Sequence, residues 1–538
     1  MTGHIIELKE QAEAAAVAEP EESSSRTEKV FSGRNVLWLA ILSLFSFALR
    51  YDFQLQHFWV DEALSIGIAS YPLDEIPSLL RLDGSPPLFY LLLHLWMEAF
   101  GQSEQATHSL SMIWALLCIP VAFWGGTTLF GRRAGWITAI LTATNAYLAL
   151  YSGETRMYTM VVFFSMIATI TFLHVFAYRH RKYLPAFVIS LTLLLYTHNW
   201  GLFFALGAGV ALLPCFWRAE DRKRLVLDAV IGFGVTAIAY APWVPTLLYQ
   251  SETTAAPWST KPILRELVSA LGFILGDERV IVALVLAGGG SIIGLFLQPR
   301  LREGSAVWAA GVLLGVILLS GWLVSQGNPA WAGRYFGVFL PVVLLIAALG
   351  LSRGKTQGLI ALGLILLFWV QPLGRLTGSR ATGPNRKSIA HPVANKVTPL
   401  LNEGDTVIAI QMEELPLLRY YLPKDLKYAT ALGPEDNPEI VDWRHAEERM
   451  EASNVEEGLK PMVESAEVGE QFLLICYRYV PDSDARRWFH IMHRRCGEWK
   501  SAFAEDGRFE EVTIPNLTTG RQMQEADRFV KLYKKVSD

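Results

Sequence analysis

The chain of 538 residues is 52% hydrophobic and only 18% charged, with a mean hydropathy of +0.29. That balance excludes one large soluble core and indicates a membrane protein of many spans. The formal charge of −4 gives no basis for a nucleic-acid partner, and four cysteines are too few for a disulfide scaffold.

Residues 1–34 are polar and acidic, with Glu19, Glu21 and Glu22 beside three serines at 23–25. They lack a basic region followed by an apolar core, so they read as a disordered cytoplasmic tail rather than a cleavable signal. Apolar runs then follow at 36–49, 108–130, 134–151, 158–177, 183–196, 201–217, 225–249, 280–297, 306–324, 335–351 and 358–373. A helix needs roughly 20 residues to cross about 30 Å of hydrocarbon, so the shorter runs borrow flanking residues. The expectation is an all-α polytopic domain over 35–374 with about eleven spans. Arg34, before the first run, would snorkel.

Orientation comes from the basic connections. Arg132-Arg133, Arg179-His180-Arg181-Lys182, and the segments 218–224, 300–302 and 353–355 fall in alternate loops, which places them in the cytoplasm. The loops at 51–107, 152–157, 196–200, 250–279 and 325–334 then face outward. An odd number of spans also puts residues 375–538 outside. There the composition turns mixed and polar, and strands at 406–411 and 471–478 with a helix at 482–499 predict a small extracytoplasmic α/β domain. Cys476 and Cys496 in this part allow a disulfide, whereas Cys118 and Cys215 lie in apolar runs as packing residues. Asn516-Leu517-Thr518 fits a glycosylation acceptor tripeptide. No internal repeat is visible.

The outward loops carry the chemistry. The first holds Phe58-Trp59-Val60-Asp61-Glu62 and Asp83-Gly84-Ser85-Pro86-Pro87, the second Glu154 and Arg156, the third His198, and the fifth Arg334-Tyr335. Neighbouring side chains diverge by about 100° on a helix, so Asp61 and Glu62 serve different ends: one faces a cavity and the other holds the loop. Each group also has a plain structural reading. Asp83 fits a turn acid, Glu154 a partner for Arg156, His94 a packed helix residue, and the aromatic residues an interfacial belt. Two arginines on the face where basic residues are not expected ask for an anion, and the guanidinium fork suits phosphate. The span interiors, by contrast, hold almost no ionisable groups, which argues against an ion or proton path.

Asp61-Glu62 after the first span, Asp83-Gly-Ser-Pro-Pro-Leu-Phe-Tyr90 with Leu91-Leu-Leu-His-Leu-Trp96, Tyr151-Ser-Gly-Glu-Thr-Arg-Met-Tyr158 and Gly333-Arg-Tyr335 resemble the GT-C integral-membrane glycosyltransferases. The likeness is to the branch of the protein O-mannosyltransferases and lipid A aminoarabinose transferases, and it covers about residues 36–373. It implies a polyprenyl-phosphate donor carrying one sugar, and inverting transfer to a lipid, protein or glycan acceptor outside the cytoplasm of a plasma or inner membrane. On matching positions, Asp61 is the implied base, with Glu62 and Asp83 orienting it or binding sugar. Arg156, Arg334, His198 and Tyr335 are implied at the donor phosphate, and Glu154 and His94 at substrate. Members of the family differ in using metal ions. A divalent cation on Asp61 and Asp83 therefore stays open, although nothing has the spacing of a dedicated metal site. Two other classes compete. A flippase of lipid-linked sugar would need polar residues inside spans and a repeat. A non-catalytic assembly protein would tolerate loss of Asp61.

Overall fold

All eleven apolar runs are helical. Among the described residues, seven helices are long and apolar enough to cross a membrane: Gly33–Gln54, Glu104–Phe130, Tyr158–Ala177, Gly201–Arg218, Arg222–Thr253, Glu278–Phe296 and Arg302–Gly327. Of the others, Lys355–Leu376 has 22 residues and the rest are shorter. Leu184–Thr197, with 14 residues, rises only about 21 Å. The computed structural model of the chain describes residues 30–254, 256–376, 387–388, 390–476, 481–482, 485–515, 517 and 529–538. The acidic tail before residue 30 lies outside the described residues, as do Asn516 and Thr518 of the glycosylation tripeptide.

Local chemistry sets the breaks. The run at 134–151 is two helices, Arg132–Thr144 and Ala146–Ser152. Between them Asn145 leaves the helical conformation, accepts the Leu148 amide on its side chain at 3.1 Å and donates Nδ2 to the Ile274 carbonyl at 3.0 Å. The carbonyls freed at the end of the first helix are taken by Arg50, whose Nη2 lies 3.0 Å from Thr142 O and 3.1 Å from Ala143 O. Arg50 is fully buried inside the first span, which runs on to Gln54 rather than ending at residue 49. The interior is thus not free of charge, but this charge serves as a helix cap. Between Glu104–Phe130 and Arg132–Thr144 the backbones touch. A Cβ on Gly126 would lie 2.8 Å from Gly135 Cα, and one on Gly135 would lie 2.0 Å from Thr127 Oγ1.

The first outer loop is itself helical, with Val60–Ala69, Ile76–Asp83 and Leu88–Phe100. Tyr158–Ala177 is the central span. Its apolar window is 83% buried, against 17% for Glu278–Phe296 at the rim. The 152–157 turn therefore opens in the middle of the bundle.

The C-terminal part forms a six-stranded sheet of order β3-β2-β1-β4-β6-β5, with β1 Thr406–Ala409, β2 Lys427–Thr430, β3 Gly433–Pro434, β4 Gln471–Ile475, β5 Phe509–Val512 and β6 Val530–Lys535. β1 pairs in parallel with β2 and β4, while β3, β6 and β5 run antiparallel to their neighbours. The Arg487–Glu505 helix lies later than the 482–499 expectation, and a disulfide joins its Cys496 to Cys476 after β4. This domain docks on the first outer loop. Tyr421 OH receives the Phe58 amide at 2.8 Å and donates to Glu104 at 2.5 Å, and the Trp443 amide reaches Leu82 O at 2.9 Å.

The basic loops gather at the other end of the bundle. Arg179 and Arg181 hold the buried Asp228 at 3.2 and 2.7 Å, Arg302 lies over the Tyr178 ring, and Arg353 pairs with Glu303. Cavities of about 590 and 630 Å³ lie beside Arg353 and Lys355 and beside Arg34 and Arg132.

Candidate active site

The Val60–Ala69 helix is capped from within: the Glu62 side chain turns back and accepts the Trp59 amide at 3.2 Å. That turns Glu62 into the core behind the helix and leaves Asp61 on its other side, toward Arg334. Glu62 is wholly buried and bonded from three further sides. His108 Nε2 lies 2.7 Å away, the Thr155 amide donates at 2.8 Å, and Lys387 Nζ donates at 2.9 Å. Burial alone would raise its pKa. Lys387 first, then His108 and the Thr155 amide, outweigh burial and hold the carboxyl down at about 2.

Asp61 faces the opposite way, and its Oδ2 lies 3.0 Å from Arg334 Nη1. Arg334 sits in the Gly333–Val338 turn, whose carbonyl at 334 accepts the Tyr147 hydroxyl at 2.5 Å. Its guanidinium is ringed by Trp59, Tyr335 and Trp258, at 5.7, 5.5 and 6.0 Å from the ring centres. Arg156 comes up from the 152–157 turn. Its Nη1 lies 2.8 Å from Ser65 Oγ, 3.2 Å from the Tyr90 hydroxyl and 3.3 Å from the Asp61 backbone oxygen. Tyr90 in turn donates to Asp83 Oδ2 at 3.2 Å. Burial raises both arginines' cost of charge, but Tyr90, Tyr158 and Asp61 around Arg156, and Asp61 and Tyr335 around Arg334, keep both cationic well above the ordinary range. His198 ends the Leu184–Thr197 helix with its ring 4.8 Å from Tyr335. Burial, then Arg156 and Arg334, push it down to about 3, so it is neutral. Groups from four separate outer loops therefore meet at one end of the bundle.

No family model and no curated protein matches the sequence. Among solved structures, ArnT from Cupriavidus metallidurans bound to undecaprenyl phosphate superposes with a TM-score of 0.59 at 12% identity, covering 94% of this chain and 98% of that one. The fold is the GT-C fold of ArnT. The apo form of the same ArnT gives 0.59 at 11% identity, over 93% and 97% of the two chains. The archaeal oligosaccharyltransferase AglB from Archaeoglobus fulgidus, in complex with an inhibitory peptide and a dolichol-phosphate, gives 0.47 at 16% identity over 81% and 68%.

On this GT-C frame, eight of the nine residues singled out from the sequence come together: Asp61, Glu62, Asp83, Glu154, Arg156, His198, Arg334 and Tyr335. His94 is not among them. Its Nδ1 bonds the Ala69 carbonyl at 2.8 Å and its Nε2 lies 3.6 Å from Glu98, which ties two loop helices together. Glu154 does not pair with the Arg156 side chain, which is already committed to Ser65 and Tyr90. Its Oε2 is buried without a hydrogen-bond partner, and burial, partly offset by Lys387, raises the carboxyl to about 7. Burial likewise raises Asp83, against the pull of Arg156.

Asp61 is committed to Arg334 and Asp83 to Tyr90, and among the described residues no three His, Cys, Asp or Glu side chains gather in a metal-holding group.

Three groups in the cluster were missed from the sequence. His108 opens an apolar run, Lys387 stands in the linker, and Glu413 follows β1 with its carboxyl raised to about 7 by burial, Asp61 also raising it. For His108 and Glu413 the only local signal was an ionisable group beside apolar sequence, and Lys387, in a polar linker, gave none.

Proposed function

We propose that the chain transfers a single sugar from a polyprenyl-phosphate donor to an extracytoplasmic acceptor, inverting the anomeric centre, with Asp61 as general base. The observation that carries this reading is the placing of Arg156 and Arg334 around Asp61, each with a buried Nε that has no hydrogen-bond partner. A buried guanidinium N–H without an acceptor is costly, and a phosphate oxygen supplies one.

Asp61 removes the proton from an acceptor hydroxyl as the oxygen attacks the anomeric carbon. The carbon–oxygen bond to phosphate breaks on the far side, and its electron pair stays on the phosphate. Arg156 and Arg334 neutralise the charge that grows there. Phosphate is a good leaving group, so no general acid is needed. His198 and Tyr335 border the leaving side, while Asp83 and Glu154 present acceptor oxygens for sugar hydroxyls. Two observations support an extracytoplasmic site: the basic loops lie at the far end of the bundle, and the docked domain carries a disulfide. The undecaprenyl phosphate in the ArnT structure is a ligand of that protein, and the donor class assigned here follows it by analogy.

The test is to incubate protein in proteoliposomes with a panel of polyprenyl-phosphate sugars and measure released polyprenyl phosphate. Release is expected with at least one donor. Asp61→Asn should lower it by about 10²–10⁴-fold. No release from any donor, or full activity in Asp61→Asn, overturns the reading.

A further inference from the structure

Of the four groups that bond Glu62, Trp59, Thr155 and His108 belong to the membrane bundle and its outer loops, and Lys387 does not. It belongs to the segment leading into the C-terminal domain. We propose that Lys387 is a positioning residue that clamps the helix bearing Asp61 to the 152–157 turn, so that sugar transfer requires the C-terminal segment to be seated on the bundle. The proposal rests on the glycosyl-transfer reading above.

The clamp has two jaws. Lys387 Nζ donates to Glu62 Oε2 at 2.9 Å and to the Gly153 carbonyl at 2.5 Å. Glu62 is the neighbour of Asp61 in the first turn of its helix, and Gly153 is the neighbour of Glu154. Both jaws are rigid. Glu62 is held by its helix cap and by His108, and the turn at Gly153 lies flush on the first span, where an added Cβ would meet Phe53 O at 2.4 Å. The ammonium therefore fixes the distance between the two elements that bring in Asp61 and Arg156. Its side chain is 9% exposed, so the ammonium sits out of bulk water between the two.

Lys387 enters as part of the docking surface. A few residues on, His391 stacks on His57 at 3.7 Å, and Tyr421 bonds the Phe58 amide and Glu104. The charged groups around the ammonium are Glu62 with His108 behind it, and Glu154, which also feels Asp61 and Arg334. Lys387 is the chief group lowering both glutamates, so its removal raises both. An acid limb of the rate profile that depends on them then moves to higher pH.

The experiment uses the full chain in proteoliposomes as wild type, Lys387→Gln and Lys387→Arg, with whichever polyprenyl-phosphate sugar proves active. Lys387→Gln is expected to lower kcat about 100-fold, the cost of a misplacement near 1 Å. The donor KM should stay within about two-fold, and the acid limb of kcat should move up in pH. Lys387→Arg should return the limb to its wild-type position. A retained kcat in Lys387→Gln, or a loss with an unshifted profile, overturns the proposal. A second readout does not need activity. Hydrogen exchange at the Thr155 amide, bonded to Glu62, should quicken in Lys387→Gln while the core spans stay protected, and unchanged exchange also overturns the clamp. If wild type releases no polyprenyl phosphate while this exchange does quicken, it is the transfer reading that falls and not the clamp.

Discussion

Asp61 and Glu62 show how one helical step assigns two jobs. The cap that draws Glu62 inward leaves Asp61 facing Arg334, and no change of residue type could have told the two apart. Arg334 is the sharper probe of the phosphate role, because its fork and its three aromatic neighbours suit a planar cation. Arg334→Lys keeps the charge but loses the fork. Its kcat/KM is expected to fall about 10²-fold, the usual cost of one lost transition-state donor, with weaker binding of polyprenyl phosphate in the same variant. Glu154 gives a pH prediction whose sign follows from its burial. Its carboxyl stands at about 7 folded against an ordinary 4.5. Below the lower value it is protonated in both states and contributes nothing. As pH rises toward 7 the unfolded chain ionises first and stability falls, and above 7 the loss is complete, on the order of 3 kcal/mol. Glu154→Gln should therefore melt higher than wild type at pH 8, and at the same temperature at pH 4, when unfolding is followed by tryptophan fluorescence.

Helices and strands differ in how much of their origin is local. The spans were legible because an apolar run of sufficient length has one fate in a bilayer. β1 and β4 were legible because both are buried along their whole length and so read as unbroken apolar stretches. The other four strands were not. β2 and β5 carry Lys427, Glu510 and Glu511 and look like loop, and only pairing in the sheet makes them strands. The same limit hid part of the site. His108 meets Glu62 across 46 residues and Lys387 meets it across 325, and no periodicity reaches that far. Arg156, Arg334 and His198 were legible because a charged or polar group beside a span on the outer face is costly unless it is used. The disulfide closes a loop of 20 residues from β4 to the Arg487–Glu505 helix. A loop of that length restrains the unfolded chain by about 3 kcal/mol. Cys496→Ser should lower the melting temperature of the C-terminal domain, read by exchange in β4 and β6, and should leave the spans protected.

The molecule has two chemically distinct ends. One carries the Asp61 cluster under a docked, disulfide-bonded domain, and the other carries the arginines that meet Asp228, Tyr178 and Glu303. If the second end faces the cytoplasm, as basic loops do, sugar is transferred outside the cell and the donor must present its head group there. The native cysteines make this directly testable. Cys118 and Cys215 are buried and Cys476 and Cys496 are bonded to one another, so an added thiol is the reactive one. Gln102 is exposed beside the docked domain, and Glu220 is exposed in the loop before the Arg222–Tyr240 helix. In intact cells a membrane-impermeant maleimide should label Gln102→Cys at once, and Glu220→Cys only after the membrane is opened. The reverse pattern would put Asp61 in the cytoplasm. It would leave the charge asymmetry of the bundle without a cause, because the arginines would then lie on the side where translocation selects against them.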